Sequence, residues 1–105
     1  MLRATILRAS SAPADVTIDE RIVRIVLAEN PTTGYRWVLS ARPPGLVEVE
    51  GQDFEPPAHP APGAGGRRLF VLRADGPGTG VVELALVRPW EPDVPADSLV
   101  VRLDG

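Results

Sequence analysis

The sequence has 105 residues, of which 44% are hydrophobic and 24% charged, and its net charge at pH 7 is −3. This length and composition predict one folded domain, 1–105, with one core, and they argue against a disordered chain. The mild charge argues against a nucleic-acid partner. No apolar stretch approaches the ~20 residues of a membrane span, so we expect no membrane partner either. The absence of cysteine excludes disulfides and thiol chemistry.

The chain is predicted to be all-β. Twelve prolines and ten glycines separate short runs of aliphatic residues, and no window keeps the 3.6-residue period of a helix. In chain order the predicted strands are 2–8 (which 16–18 could continue), 21–28, 35–41, 46–50, 67–74, 81–88 and 98–103. Their number and spacing are typical of an immunoglobulin-like β-sandwich of about seven to eight strands.

If neighbouring strands are antiparallel, the successive links between strands lie alternately at the two ends of the sandwich. The links 29–34, 51–66 and 89–97 then meet at one end, which we call the loop end. The remaining links are short turns rich in glycine and proline, and they meet at the far end. The loop end holds the unusual residues, so a candidate binding site is expected there.

The link 29–34 and the residue after it read Asn30, Pro31, Thr32, Thr33, Gly34 and Tyr35. Proline fixes its own φ, and glycine permits a positive φ. The segment is either an ordinary turn or a rigid, small-tipped wedge that presents threonine hydroxyls and methyls to a narrow cleft. Proline in the middle of Asn-Pro-Thr excludes N-glycosylation.

The second link contains Gly63, Ala64, Gly65 and Gly66. Such a run is a flexible connector in most chains. Its functional interpretation is a stretch of bare backbone that can lie along another protein's groove and form main-chain hydrogen bonds.

The third link follows Arg88 and includes Pro89 and Trp90. A tryptophan held between prolines on a loop is either an interface anchor or a ring folded back over the sandwich end. Trp37 lies within a predicted strand, and we expect it in the core.

Together these three segments, in this order, resemble the chagasin-type inhibitors of papain-like cysteine proteases. The resemblance implies an immunoglobulin-like sandwich whose three loops enter the protease cleft. It implies that Thr32, Thr33 and Gly34 lie nearest the catalytic cysteine and histidine, with Asn30 and Pro31 behind them. It places the glycine segment on the non-primed side and Arg88, Pro89 and Trp90 on the primed side.

The sequence offers no catalytic or cofactor constellation. His59 is the single histidine and is expected at the surface, so neither a metal site nor a cofactor is predicted. We therefore expect a monomeric inhibitor of a papain-like cysteine protease and not an enzyme. An adhesion or scaffold domain, or a carbohydrate-binding module stacking sugars on Trp90 and Tyr35, remain the alternatives.

The N-terminus shows no apolar core of a signal peptide and alternates like a strand. The residues leave the compartment open; an exported location, periplasmic or secreted, is what the resemblance implies.

Overall fold

The computed structural model describes residues 1–59 and 65–105. It contains eight strands, which are β1 (Arg3–Arg8), β2 (Ala14–Asp19), β3 (Ile22–Glu29), β4 (Arg36–Ala41), β5 (Val47–Glu55), β6 (Gly66–Ala74), β7 (Thr79–Val87) and β8 (Asp97–Asp104). One helical turn, the 3-10 turn Pro31–Thr33, lies between β3 and β4. In the part of the chain that the structure describes, no helix is long and apolar enough to cross a membrane. The all-β prediction is confirmed.

The strands form two four-stranded antiparallel sheets. The first sheet has the order β1-β8-β7-β4, and the second has the order β2-β3-β6-β5. Alternate residues of both sheets face each other, and the fully buried side chains include Ile25 and Phe70 of the second sheet and Leu84 and Leu99 of the first. Burial of this apolar surface, at about 25 cal/mol per Å², is the main force that holds the two layers together. The predicted β-sandwich is therefore confirmed.

Trp37 lies in the core with 1% of its surface exposed, as predicted. Strand β6 is completely buried only on the face that it turns to the core. Its inward residues Phe70 and Leu72 are fully buried, whereas the outward residues Leu69 and Val71 are only partly covered. The outer face of this sheet is thus partly exposed to solvent at β6.

The first difference from the prediction concerns the start of the chain. We allowed 16–18 to continue the first strand, but these residues belong to β2, which lies in the opposite sheet. Pro13 has no N–H to donate to a ladder, and the chain crosses between the sheets just before β2 begins. Since the end of β1 pairs with the start of β8 (Arg8 opposite Val100), the link 9–13 lies at the loop end.

The second difference concerns the strand predicted at 46–50, which continues as β5 to Glu55. A bulge between Val49 and Gly51 shifts the register and allows pairing with β6 to continue as far as Glu55 opposite Arg67. The sequence suggested that Gly51 opens the long link. A glycine inside a strand marks a bulge equally well, and the link is consequently shortened to 56–65.

Candidate functional site

The wedge turn, residues 30–34, is closed by its own hydrogen bonds. Asn30 caps it, since its Oδ1 accepts from the backbone N–H of Thr32 (3.1 Å) and from the Thr32 hydroxyl (2.7 Å). The Thr33 hydroxyl donates to the Asn30 carbonyl (2.8 Å) and accepts from the N–H of Tyr35 (3.2 Å). Both threonine hydroxyls are bonded within the turn and hold its shape, while the two side chains remain exposed.

Gly34 ends this turn with φ +79°, in the left-handed region that other residues enter at a cost. The space above it is also restricted. A Cβ atom on Gly34 would lie 3.1 Å from Cη2 of Trp90, which places the Trp90 ring directly against the end of the wedge turn. Two distant segments of the sequence therefore meet at the centre of the loop end.

The residues Arg88, Pro89, Trp90 and Glu91 form a second tight turn, which we call the tryptophan turn. The N–H of Glu91 donates to the Arg88 carbonyl (2.9 Å), so Pro89 and Trp90 occupy the two central positions. Although its ring touches Gly34, Trp90 remains 67% exposed. The ring is thus held in position and still available to a partner.

Arg88 connects the tryptophan turn to the wedge turn. Its guanidinium carbon lies 4.4 Å from the centre of the Tyr35 ring and 5.9 Å from that of the Trp90 ring, both within cation–π range. Its Nη1 also lies 3.8 Å from the Glu91 carboxylate. Because Arg88 covers the face of Tyr35, that face is not open to a sugar ring, which weighs against a stacking platform built from Tyr35 and Trp90.

The glycine segment reaches the loop end beside the wedge turn. Gly63 and Ala64 lie outside the described residues. Gly65 is exposed, and a Cβ atom built on it would lie 3.8 Å from the Asn30 Cβ. Gly66 is buried as the first residue of β6, where a Cβ would fall 2.4 Å from the Glu55 carbonyl oxygen and 2.6 Å from the Phe54 ring. Gly66 is therefore required by packing.

Glu29, which sequence reasoning missed, is the one buried charged residue in the ranges 1–59 and 65–105. Its carboxylate accepts from the backbone N–H of Trp37 (2.7 Å) and from Nε and Nη2 of Arg68 (3.2 and 2.7 Å). The indole N–H of Trp37 donates to the Ala28 carbonyl (3.0 Å). Since Glu29 and Trp37 belong to opposite sheets, this cluster joins the two sides of the wedge turn across the sandwich.

The sequence did contain a signal for Glu29. Val23, Ile25 and Leu27 alternate toward the core, and Glu29 continues the same period of two. A carboxylate at a core-facing position needs hydrogen-bonding partners, because burying an unpaired charge costs several kcal/mol or more. The pattern thus marked Glu29 as unusual, although it did not identify Arg68 as the partner.

Within the described ranges, no group of three or more His, Cys, Asp or Glu side chains could hold a metal ion. His59 is exposed, as predicted. The described site consists of two hydrogen-bonded turns with an exposed tryptophan, which suits binding to another molecule.

Known proteins resemble this chain in sequence and in fold. The family model described as Chagasin family peptidase inhibitor I42 matches residues 18–104, most of the chain. The chain is 34% identical to Chagasin of Trypanosoma cruzi over 86 residues, covering 77% of this chain and 76% of that protein. The fold also matches the crystal structure of EhICP2, a cysteine protease inhibitor from Entamoeba histolytica. The TM-score is 0.66, with 29% identity, 75% of this chain covered and 73% of the other.

The class of protein is thus a peptidase inhibitor, not an enzyme. More specifically, the chain belongs to the chagasin family, as the resemblance of its three loop segments predicted.

Proposed function

We propose that this chain is a reversible, tight-binding inhibitor of papain-like cysteine proteases of the cathepsin L type, and that it acts by filling the active-site cleft with three loop-end segments. The observation that carries this proposal is the wedge turn, a closed turn with exposed threonines, with Gly34 at its end and Trp90 beside that glycine. A narrow tip on a wide sandwich can enter a cleft that the sandwich itself cannot.

The linear arrangement of the three segments supports their assignment to one groove. Gly65 lies beside the start of the wedge turn near Asn30, and Trp90 lies against its other end, at Gly34. In the proposed complex, Thr32, Thr33 and Gly34 lie nearest the catalytic cysteine and histidine. The segment Gly63, Ala64, Gly65 and Gly66 follows the non-primed side, with the buried Gly66 as its base. Arg88, Pro89 and Trp90 contact the primed side.

The conformation of the wedge turn explains how such an inhibitor escapes cleavage. Its residues Pro31–Thr33 form a 3-10 turn, not an extended strand. Attack by a protease nucleophile needs a carbonyl carbon in line at about 3–3.5 Å, and a closed turn does not offer its carbonyls as an extended substrate does. Because the turn is already ordered by its own hydrogen bonds, little conformational entropy is lost on binding.

The rest of the proposal concerns the state of the inhibitor. We propose that 1–105 acts as a single domain and as a monomer, with a papain-like protease as its partner and without nucleic acid or membrane. One protease per chain is expected, because the three segments share one end of the sandwich.

A titration tests the function. Papain and a cathepsin L-type enzyme are titrated with the protein while cleavage of a fluorogenic peptide is followed, and trypsin serves as the control. We expect stoichiometric loss of activity for the cysteine proteases, none for trypsin, and recovery of the intact inhibitor by mass spectrometry. Full protease activity at micromolar inhibitor would overturn the proposal.

A further inference from the structure

The link between β1 and β2, residues 9–13, reaches the loop end because these strands lie in different sheets. β1 ends against β8 at Arg8 opposite Val100, and β2 begins against β3 at Ala14 opposite Leu27. The chain therefore crosses from one sheet to the other at the same end as the wedge turn. The loop end carries four segments, of which the proposed function uses three.

This fourth segment is held in a fixed shape. The Asp97 carboxylate accepts from the N–H of Ser11 (3.0 and 3.1 Å) and of Ala12 (3.0 Å). The Ser10 hydroxyl donates to the Ala12 carbonyl (2.8 Å). The Pro13 carbonyl accepts from the N–H of Ala28 (3.1 Å), at the end of β3. A segment ordered in this way loses little entropy when a partner contacts it.

The segment also borders the proposed protease-binding face. Ala12 lines a cavity of about 460 Å³ together with Asn30, Thr33 and Gly65. Asp97, which fixes the link, is the first residue of β8, directly after the stretch that carries the tryptophan turn. The fourth segment is therefore continuous with the wedge turn on one side and coupled to β8 on the other.

The exposed side chains of the segment are small and uncharged: Ala9, Ser11 and Pro13. Charged residues are depleted at the centres of protein interfaces, and small side chains permit close approach. The family match covers residues 18–104, so the link lies outside the matched residues.

We propose that residues 9–13 form a fourth contact segment, which lies against the rim of the protease cleft beside the wedge turn and adjusts which papain-like enzymes are bound. The inference rests on the proposed function. The partner surface is an uncharged part of the cleft wall, because a charged wall would find no partner on this segment.

The test places an arginine on the segment. Ser11→Arg and Ala9→Arg keep the backbone N–H groups that Asp97 binds, and Ser40→Arg, at an exposed serine of β4, is the matched control. Inhibition constants are measured for papain and for a cathepsin L-type enzyme, with thermal melting to confirm folding. We expect at least one of the two loop-end variants to raise the inhibition constant about tenfold, unequally for the two enzymes, and the control to stay within about twofold.

A photo-crosslinking residue at position 11 gives an independent readout. We expect it to capture the protease, whereas the same residue at position 40 does not. The fourth-segment proposal is wrong if Ser11→Arg and Ala9→Arg both inhibit normally and position 11 captures no protease. If in the same experiments the unmodified chain inhibits and Thr33→Arg abolishes inhibition, the three-segment function stands. If the unmodified chain inhibits neither enzyme, both proposals fail.

Discussion

The two ends of the sandwich are built in opposite ways. At the far end, the turns bond to one another: Nε of Arg21 donates to the Ala74 carbonyl (2.9 Å), its Nη2 donates to the Gly76 carbonyl (2.5 Å), and Asp75 N–H donates to the Leu46 carbonyl (2.6 Å). At the loop end, the wedge and tryptophan turns are bonded mainly within themselves and leave Trp90 exposed. The far end closes the fold, whereas the loop end presents rigid parts to a partner.

The two ends also differ in the burial of their ion pairs. Arg73 pairs with Asp75 (2.7 Å) and with Glu50 at the far end, and the hydrogen bond from Arg73 together with its charge lowers the pKa of Asp75. The Thr79 hydroxyl and Arg102 lower the pKa of Asp104 in the same region. The loop end has exposed pairs as well, Arg67 with Glu55 and Arg88 with Glu91, but it also has a buried pair, between Glu29 and Arg68 beneath the wedge turn. The comparison predicts that changes at the loop end alter inhibition, and that changes at the far end alter only stability.

The largest effect is expected for Thr33→Arg. The variant loses the two hydrogen bonds of the Thr33 hydroxyl and places a long charged side chain at the tip of the wedge turn. We expect the inhibition constant for papain to rise about 100-fold or more, because a steric clash and an unpaired charge both oppose entry into a cleft. The control is Thr17→Arg, on the exposed face of β2. Equal losses for both variants would contradict the wedge assignment.

A smaller loss is expected for Trp90→Ala. Truncating an exposed aromatic anchor costs about 2 kcal/mol of binding free energy, which corresponds to an inhibition constant raised about 30-fold. The matched variant is Val94→Ala, since Val94 is 62% exposed in the same link. Titration of papain should show near-normal inhibition by Val94→Ala. An unchanged constant for Trp90→Ala would remove its role as an anchor.

Glu29→Gln separates positioning from direct contact. The amide oxygen can still accept from Trp37 N–H, but the ion pair with Arg68 is lost. We expect the unfolding free energy to fall by about 1–3 kcal/mol, and inhibition to weaken about tenfold because the base of the wedge turn loosens. Denaturant unfolding and papain titration measure the two effects.

The matched control for this variant is Glu55→Gln, which removes an exposed pair with Arg67 near the same end. Such surface pairs contribute about 0–1 kcal/mol. Should the two glutamine variants behave alike in both measurements, burial of Glu29 would have no special role.

The smallest effect on inhibition is expected for Arg21→Ala at the far end. Loss of its two hydrogen bonds to main-chain carbonyls should lower the unfolding free energy by about 1–2 kcal/mol, or the melting temperature by roughly 5–10 °C. Inhibition by the folded variant should be unchanged, because Arg21 lies at the opposite end from the wedge turn. A weakened inhibition constant at a temperature where the variant is fully folded would show that the ends are coupled.

Particular residues show which structural features could be predicted from the sequence. The burial of Trp37 was predicted correctly from its place in a strand, and the inward alternation of Leu99, Val101 and Leu103 follows the period of two of the predicted last strand. The split of the first strand and the extension of β5 were not, because both depend on which distant strand offers free hydrogen-bonding groups. In the sequence alone, the bulge at Gly51 and the link 9–13, where the chain crosses between the sheets, cannot be distinguished from ordinary turns.

The sequence by itself determined the all-β class, the three loop segments and their meeting at one end, since alternation and turn residues act locally along the chain. Only the tertiary structure decided that Glu29 pairs with Arg68, that Arg88 lies over Tyr35, and that Trp90 rests on Gly34. It also brought the link 9–13 to the loop end. These contacts join residues far apart in the chain, and their geometry is set by the register and packing of two whole sheets.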